Sequence, residues 1–367
     1  MSNRAQQFLS TVATYITVAG ASVLLVSPVR AASFTTAVFA TGSAVGASQP
    51  DSVAFGNNSL WVEYGNGASS TGGSGSSAIV QYNLAGSVLH TYSIAGSVDG
   101  LKFDPNTGQI WALQNQDANS TLTIINPPTA TTSTLTYGFL YNSMSGTRGL
   151  DDVVFSGNQV FMSVTNPGSG TDPVVVQLTN LASPLLQTAV LASGATGTNL
   201  ATGQPGTIPA TDPDSLKSGP NGSLVLSGEA DQALMFINSP GQAGQSVSFL
   251  NLLNAAGAPA GSPDDAIFPT ASQGTFYVAD TGANTIDAIT ASGLVPNTSL
   301  YADVGNAFNS VNMSTGVLTP IFTGVSPHGM DFVVATPEPG ALGLCSIGLL
   351  FWFMRSRRRR GELKSIR

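Results

Sequence analysis

The sequence predicts an all-β body, a β-propeller of six blades with a seventh left open. Three observations predict it. A short motif recurs six times at intervals near fifty residues, each copy leads into a turn-rich cluster and about four short apolar strands, and no amphipathic helix stands out between the two ends. Sheets of four strands repeated at that period stack around a central channel and bury both faces against their neighbours.

Taken in order, the chain opens with Arg4, an uncharged stretch from Phe8 to Val26, and "SPVRAAS". Small residues at Val29 and Ala31 fit cleavage after Ala31, so residues 1–31 read as a signal peptide, helical until removed. "SFTTAVFA" (Ser33 to Ala40) precedes the first motif and is expected to complete the last blade, closing the ring. The motif copies are "PDSVAF", "VDGLKF", "LDDVVF", "PDSLKS", "PDDAIF" and "PHGMDF". Four residues before each copy's end stand Asp51, Asp99, Asp151, Asp214, Asp264 and His328, spaced by 48, 52, 63, 50 and 64 residues. Turn clusters such as "GNNS" and "SGPNGS" follow. A second strand then opens in "LWVEY", "IWALQ", "VFMSV", "LVLSG" and "TFYVAD", which aligns Trp61, Trp111, Phe161, Leu224 and Phe276. Strands such as "AIVQYNL" and "TIDAIT" come next. The last interval also holds "SLYADVGNAFNSVNMSTGVLTPIFTG", enough for two or three strands of a degenerate seventh blade. The body is thus residues 32–335.

In a propeller the first strand of each blade lines the channel, so the six motif residues are expected to ring one mouth, with Asp152 and Asp265 adding a second acid beside two of them. Gathered carboxylates raise one another's pKa unless a cation joins them, and hard oxygen ligands favour Ca²⁺ or Mg²⁺. The alternative is that each Asp caps its own turn. His328 alone in the ring titrates near neutrality, and His90 in "VLHTYSI" reads as an outer-strand residue. The run "GNGASSTGGSGSS" lacks the strand and helix of a phosphate cradle and reads as a loop.

Composition narrows the classes. The body has eighteen acids against Lys102, Arg148 and Lys217, about −15. Such a surface repels phosphate backbones, so nucleic acid is not expected as a partner. The one cysteine, Cys345, lies near the C-terminus, which leaves the body without thiol or disulfide. Two histidines exclude a three-histidine zinc site.

The end of the chain, "PEPGALGLCSIGLLFWFMRSRRRR", joins Pro337, Glu338 and Pro339 to fourteen uncharged residues (341–354) and then to Arg355, Arg357, Arg358, Arg359 and Arg360. As a helix the run spans roughly 21 Å, short of the ~30 Å hydrocarbon core, and the arginines mark its cytoplasmic side. Residues 336–367 therefore read as a membrane-directed segment. These three parts in this order resemble the PEP-CTERM sorting signal. The resemblance implies recognition by an exosortase after export, transient anchoring by the C-terminal helix, and a home in the cell envelope or extracellular matrix of a polysaccharide-producing bacterium. "TFYVADTGANTIDAI" resembles the repeat of NHL and SMP-30-like propellers. Two functions follow. One is a non-enzymatic module that binds polysaccharide, protein or a cation. The other is a metal-dependent enzyme at the channel mouth, lactonase-like or lyase-like, to which "SPHGMDF" adds a likeness to streptogramin lyases. Neither a catalytic residue nor a cofactor is fixed by the sequence.

Overall fold

The structure, a computed structural model, describes residues 31–138, 149–168 and 170–335. The signal segment before Ala31, Arg148 and the sorting motif from Pro337 to Arg360 lie outside them. Among the described residues there are 26 strands and no α-helix, and no helix is long and apolar enough to cross a membrane.

The chain opens with β1 (Ser33–Thr41). Four antiparallel units then follow in simple order. The first is β2 (Pro50–Gly56), β3 (Ser59–Tyr64), β4 (Ser76–Asn83) and β5 (Val88–Ala95). The second is β6 (Val98–Phe103), β7 (Ile110–Gln114), β8 (Thr121–Asn126) and β9 (Thr131–Gly138). The third is β10 (Leu150–Ser156), β11 (Gln159–Val164), β12 (Pro173–Asn180) and β13 (Leu185–Ala192). A small hairpin, β14 (Thr196–Asn199) and β15 (Pro205–Thr207), then borders the fourth: β16 (Pro213–Ser218), β17 (Leu224–Gly228), β18 (Ala233–Asn238) and β19 (Ser246–Asn251).

The last two units are interleaved. The chain runs through β20 (Pro263–Ile267), β21 (Gln273–Asp280), β22 (Thr285–Ser292), β23 (Leu300–Val304), β24 (Ala307–Val311), β25 (Leu318–Thr323) and β26 (Pro327–Val334). β20 pairs with β23, and β23, β24 and β25 complete its sheet. β21 and β22 cross over to pair between β26 and β1. This corrects the sequence reading: "TFYVAD" is not the second strand after "PDDAIF", and strands of the last interval complete the sheet of β20. Register also corrects two bulky positions. The residue opposite the third position after the motif acid is Trp61, Trp111 or Phe161 in the first three units, but Val225 in the fourth and Tyr301 in the fifth.

Six apolar clusters seal the ring, one between each successive pair of units. Trp61 and Ile79 meet Leu101 and Ile110. Leu122 meets Val153 and Met162. The series continues to the sixth cluster, where Ala279 and Ile286 meet Val53, Val62 and Tyr64, so the last unit packs on the first. Each fully buried side chain of this size contributes about 1.5–3 kcal/mol, which suits a body without disulfides. Turn chemistry sets the hairpins. In "GNNS", Asn57 and Asn58 hold φ of 50° and 54°, the left-handed pair that a tight two-residue hairpin requires.

One irregularity repeats in all six units and sets up the site. The inner strand carries a bulge where its motif acid sits, between Pro50 and Val53, Val98 and Leu101, Leu150 and Val153, Pro213 and Leu216, and Pro263 and Ala266. In β26 it falls at Gly329, whose φ is 25°. A bulge adds a residue to one strand and re-aims its side chains.

Candidate functional site

The bulges carry six side chains to one mouth of the channel, named here the upper face. They form two triads. Asp51, Asp264 and His328 can each offer a ligand atom within 4.8 Å of the others, and so can Asp99, Asp151 and Asp214. The structure thus brings all six sequence-predicted residues together. His328 Nδ1 lies 3.5 Å from Asp51 Oδ1, with the two side chains 43% and 30% exposed. The hydrogen bonds of these acids differ from turn capping. Asp264 accepts the Gly329 backbone N–H of the next unit, and Asp99 accepts Gln116 Nε2 at 3.2 Å. Asp151 is 5% exposed, and its Oδ1 has no hydrogen-bond partner.

Electrostatics separate this ring from the layer beneath it. Burial, then the charges of Asp99 and Asp264, push Asp51 well above the usual carboxylate range. Burial and Asp99 do the same to Asp151, and burial with Asp264 and Asp151 to Asp214. Asp99 is pushed up to about 6, chiefly by burial. One residue further along the chain the situation reverses. Burial opposes ionisation of Asp265, yet Lys217 Nζ at 2.7 Å and the nearby Lys102 outweigh it and hold the carboxyl below its ordinary value. Lys217 Nζ also donates to Met330 O at 3.2 Å. Asp265 accepts the Met330 N–H. Asp152 Oδ2 accepts the Leu216 N–H at 3.0 Å and lies 3.5 Å from Lys102 Nζ. Asp331 accepts the Phe55 N–H at 2.7 Å. These acids clasp neighbouring inner strands and are spent on holding the ring.

A cavity of about 220 Å³ opens beside the ring, lined by Asp51, Asp99, Gln116, Thr281 and His328. Gly65, Gly67 and Ala68 also line it, so part of the Gly/Ser run forms a wall of the site. His90 lies on the exposed outer strand β5, away from the mouth.

Sequence reasoning missed two acids. Glu63 and Asp303 stand one residue before the ends of the second strands of the first and fifth units, each next to the residue that pairs with the proline opening the motif. Glu63 is 0% exposed. Burial pushes it well above its ordinary value, against the hydroxyl of Ser77. Asp303, pushed up by burial and by Asp264, accepts the Asp265 N–H through Oδ1, the role Ser163 Oγ plays for Asp152 N–H at 2.8 Å. The signal was present, since "LWVEY" and "LYADV" share a pattern ending in an acid and one apolar residue.

The donor set fits a hard cation. Carboxyl oxygens dominate and one imidazole joins them.

No protein-family model matches the chain, and no curated protein matches it. Similar solved structures include virginiamycin B lyase from Staphylococcus aureus, 11% identical, TM-score 0.49, with 83% of this chain and 94% of that one covered. A streptogramin B lyase is 11% identical, TM-score 0.43, with 83% and 74% covered. The periplasmic gluconolactonase PpgL of Pseudomonas aeruginosa is 13% identical, TM-score 0.43, with 78% and 89% covered. At these identities and TM-scores none of them carries a ligand, a substrate or a site residue over to this chain.

Proposed function

We propose that this chain is an exported six-bladed propeller that holds a hard divalent cation, Ca²⁺ or Mg²⁺, at its upper mouth and serves as a binding module of the cell envelope or extracellular matrix. The observation that carries the reading is the convergence of the six bulged residues, with Asp151 offering a buried oxygen that nothing in the protein satisfies. Asp51, Asp264 and His328 would hold one side of the cation and Asp99, Asp151 and Asp214 the other. Export and sorting rest on the residues at the two ends: cleavage after Ala31, and the segment from Pro337 to Arg360 as substrate of an exosortase. Extracellular polysaccharide is the partner class that an acidic, cation-bearing mouth suits, by bridging to sugar carboxylates or hydroxyls.

The test is thermal unfolding of the full chain in detergent. Ca²⁺ should raise the Tm above that reached with matched ionic strength, and EDTA should reverse the rise. A Tm that follows ionic strength alone would overturn the cation site.

The second reading is a metal-dependent lactonase-like or lyase-like enzyme, favoured by the 220 Å³ cavity with half-exposed His328 on its wall. A cation there would polarise a carbonyl oxygen, and His328 could hold or release a proton. Turnover of small lactones that both EDTA and His328→Ala abolish would favour the enzyme over the binder.

A further inference from the structure

The two faces of the ring differ in charge and in apolar exposure. Every inner strand begins at the acid mouth and ends at the opposite, lower face, so strand direction assigns each loop to a face. Among the body's eighteen acids, seven begin inner strands, three stand at the ends of second strands or one residue before (Glu63, Asp280 and Asp303), and five lie in upper loops (Asp117, Asp172, Asp212, Glu229 and Asp231). In the described lower loops only Asp104 is charged. It is 4% exposed, and its carboxylate is occupied by the Asn106 N–H at 2.9 Å and the Thr107 hydroxyl at 2.6 Å.

Exposed apolar side chains show the opposite bias. Eight large ones are exposed among the described residues. Six of them, Leu84, Val88, Leu89, Leu181, Val295 and Val334, lie in lower loops or at lower strand ends. Scattered exposed hydrophobics need no explanation, but their collection on one face does.

Both chain ends of the body are on that face. β1 begins at Ser33, paired with Ser292, and Ser292 pairs with Gln273 at the lower end of the closing unit. β26 ends at Val334, paired with Gly274. Five residues separate Ala335 from the start of the apolar run at Ala341, a reach of about 20 Å.

We infer that the lower face is apposed to the membrane surface while the chain is held by its tail, and that the acid mouth points away from it. This rests on the proposed reading of residues 336–367 as a membrane tether. A bilayer carrying anionic lipid repels the upper face and admits the lower one, whose loops carry no exposed charge and offer leucine and valine to the interface, while Lys102, Lys217 and Asp331 stay inside the channel toward the lower ends of the inner strands. The short connection keeps that face close, so the mouth is presented to whatever lies beyond the membrane.

The test uses the full chain with Cys345→Ser and one introduced cysteine, L181C or V295C below and A283C above, each carrying a fluorophore. The protein is reconstituted into phosphatidylcholine–phosphatidylglycerol vesicles that contain a nitroxide lipid. It should float with the vesicles, and both lower labels should be quenched several-fold more than the upper one. Flotation with equal or reversed quenching would overturn the orientation and leave the tether standing. Failure to float would overturn the tether, and the orientation with it. Agreement between the two lower positions guards against a local effect of either substitution.

Discussion

Asp264 and Asp265 are neighbours in sequence and opposites in structure, and so are Asp151 and Asp152. The first of each pair faces the mouth among other carboxylates, with no lysine beside it. The second faces the layer below, where lysine and backbone N–H groups meet it: Asp265 accepts the Met330 N–H and lies 2.7 Å from Lys217 Nζ, and Asp152 accepts the Leu216 N–H near Lys102. The same residue type is thus held in reserve in one layer and committed to structure in the other. The bulge makes this division, because it turns two consecutive side chains into the channel at different depths.

The largest expected effect comes from breaking the lower layer. Lys217→Met would leave Asp265, 0% exposed, without its countercharge, and removing one partner of a buried pair costs about 3–5 kcal/mol. Urea unfolding should show that loss, whereas Asp99→Asn with Asp214→Asn should cost less than about 1 kcal/mol in EDTA, since no buried charge is stranded. If the two losses were equal, the layers would not differ as described.

The next effect belongs to the ring. A cation bound only by the folded state at a hundredfold excess over its Kd stabilises by about 2.7 kcal/mol. The Asp99→Asn and Asp214→Asn double variant should lose that gain, while Lys217→Met, although less stable, should keep it. A Ca²⁺ response that survives the double variant would place the cation elsewhere.

Much of this was legible in sequence. The five motif acids and His328, their shared register and the strand that closes the ring all follow from a repeat whose turns and apolar alternation are local. The interleaving of the fifth and sixth units was not. "TFYVAD" follows "PDDAIF" after a hairpin-length turn, and a local reading pairs what is adjacent. Strand pairing decides otherwise: Phe276 lies opposite Phe332 and Ile289, while Tyr301 lies opposite Ile267 and Ser310. The acid of "LYADV" marked it as the partner of "PDDAIF", but only to a reader who already knew why that position needs an acceptor. The depth of Asp265 was equally hidden, because Lys217, which compensates it, comes from another unit.

The ring should also give the cation-free protein a pH dependence. Asp99 has a folded pKa of about 6 against an ordinary value of 3.8. Between those values the folded state holds more protons than the unfolded one, so stability falls as pH rises through that window and levels off above it. In EDTA the Tm should drop from about pH 4 to pH 7, and saturating Ca²⁺ should flatten the drop. A Tm that rises across the same interval in EDTA would contradict the crowding of these carboxyls.

The smallest effect isolates Glu63. Its carboxyl is fully buried, and burial raises it well above 4.5, so the folded protein favours the neutral acid. Glutamine has nearly the shape of that neutral acid and adds no ionisation cost. The sign follows from proton counting. Above the ordinary carboxylate range the unfolded chain releases the Glu63 proton and the folded chain keeps it, which lowers stability as pH rises until the folded group also ionises. Glu63→Gln removes that loss. Near pH 4 the variant and the parent should agree within about 1 kcal/mol, the scale of one neutral hydrogen bond. At pH 8 the variant should be the more stable of the two, and the difference should grow steadily between these limits. The lower layer offers the control, because Asp265→Asn removes a partner of Lys217 and should destabilise at both pH values. If Glu63→Gln were destabilising at pH 8, Glu63 would be ionised and paired, and it would belong with Asp265 in the structural layer.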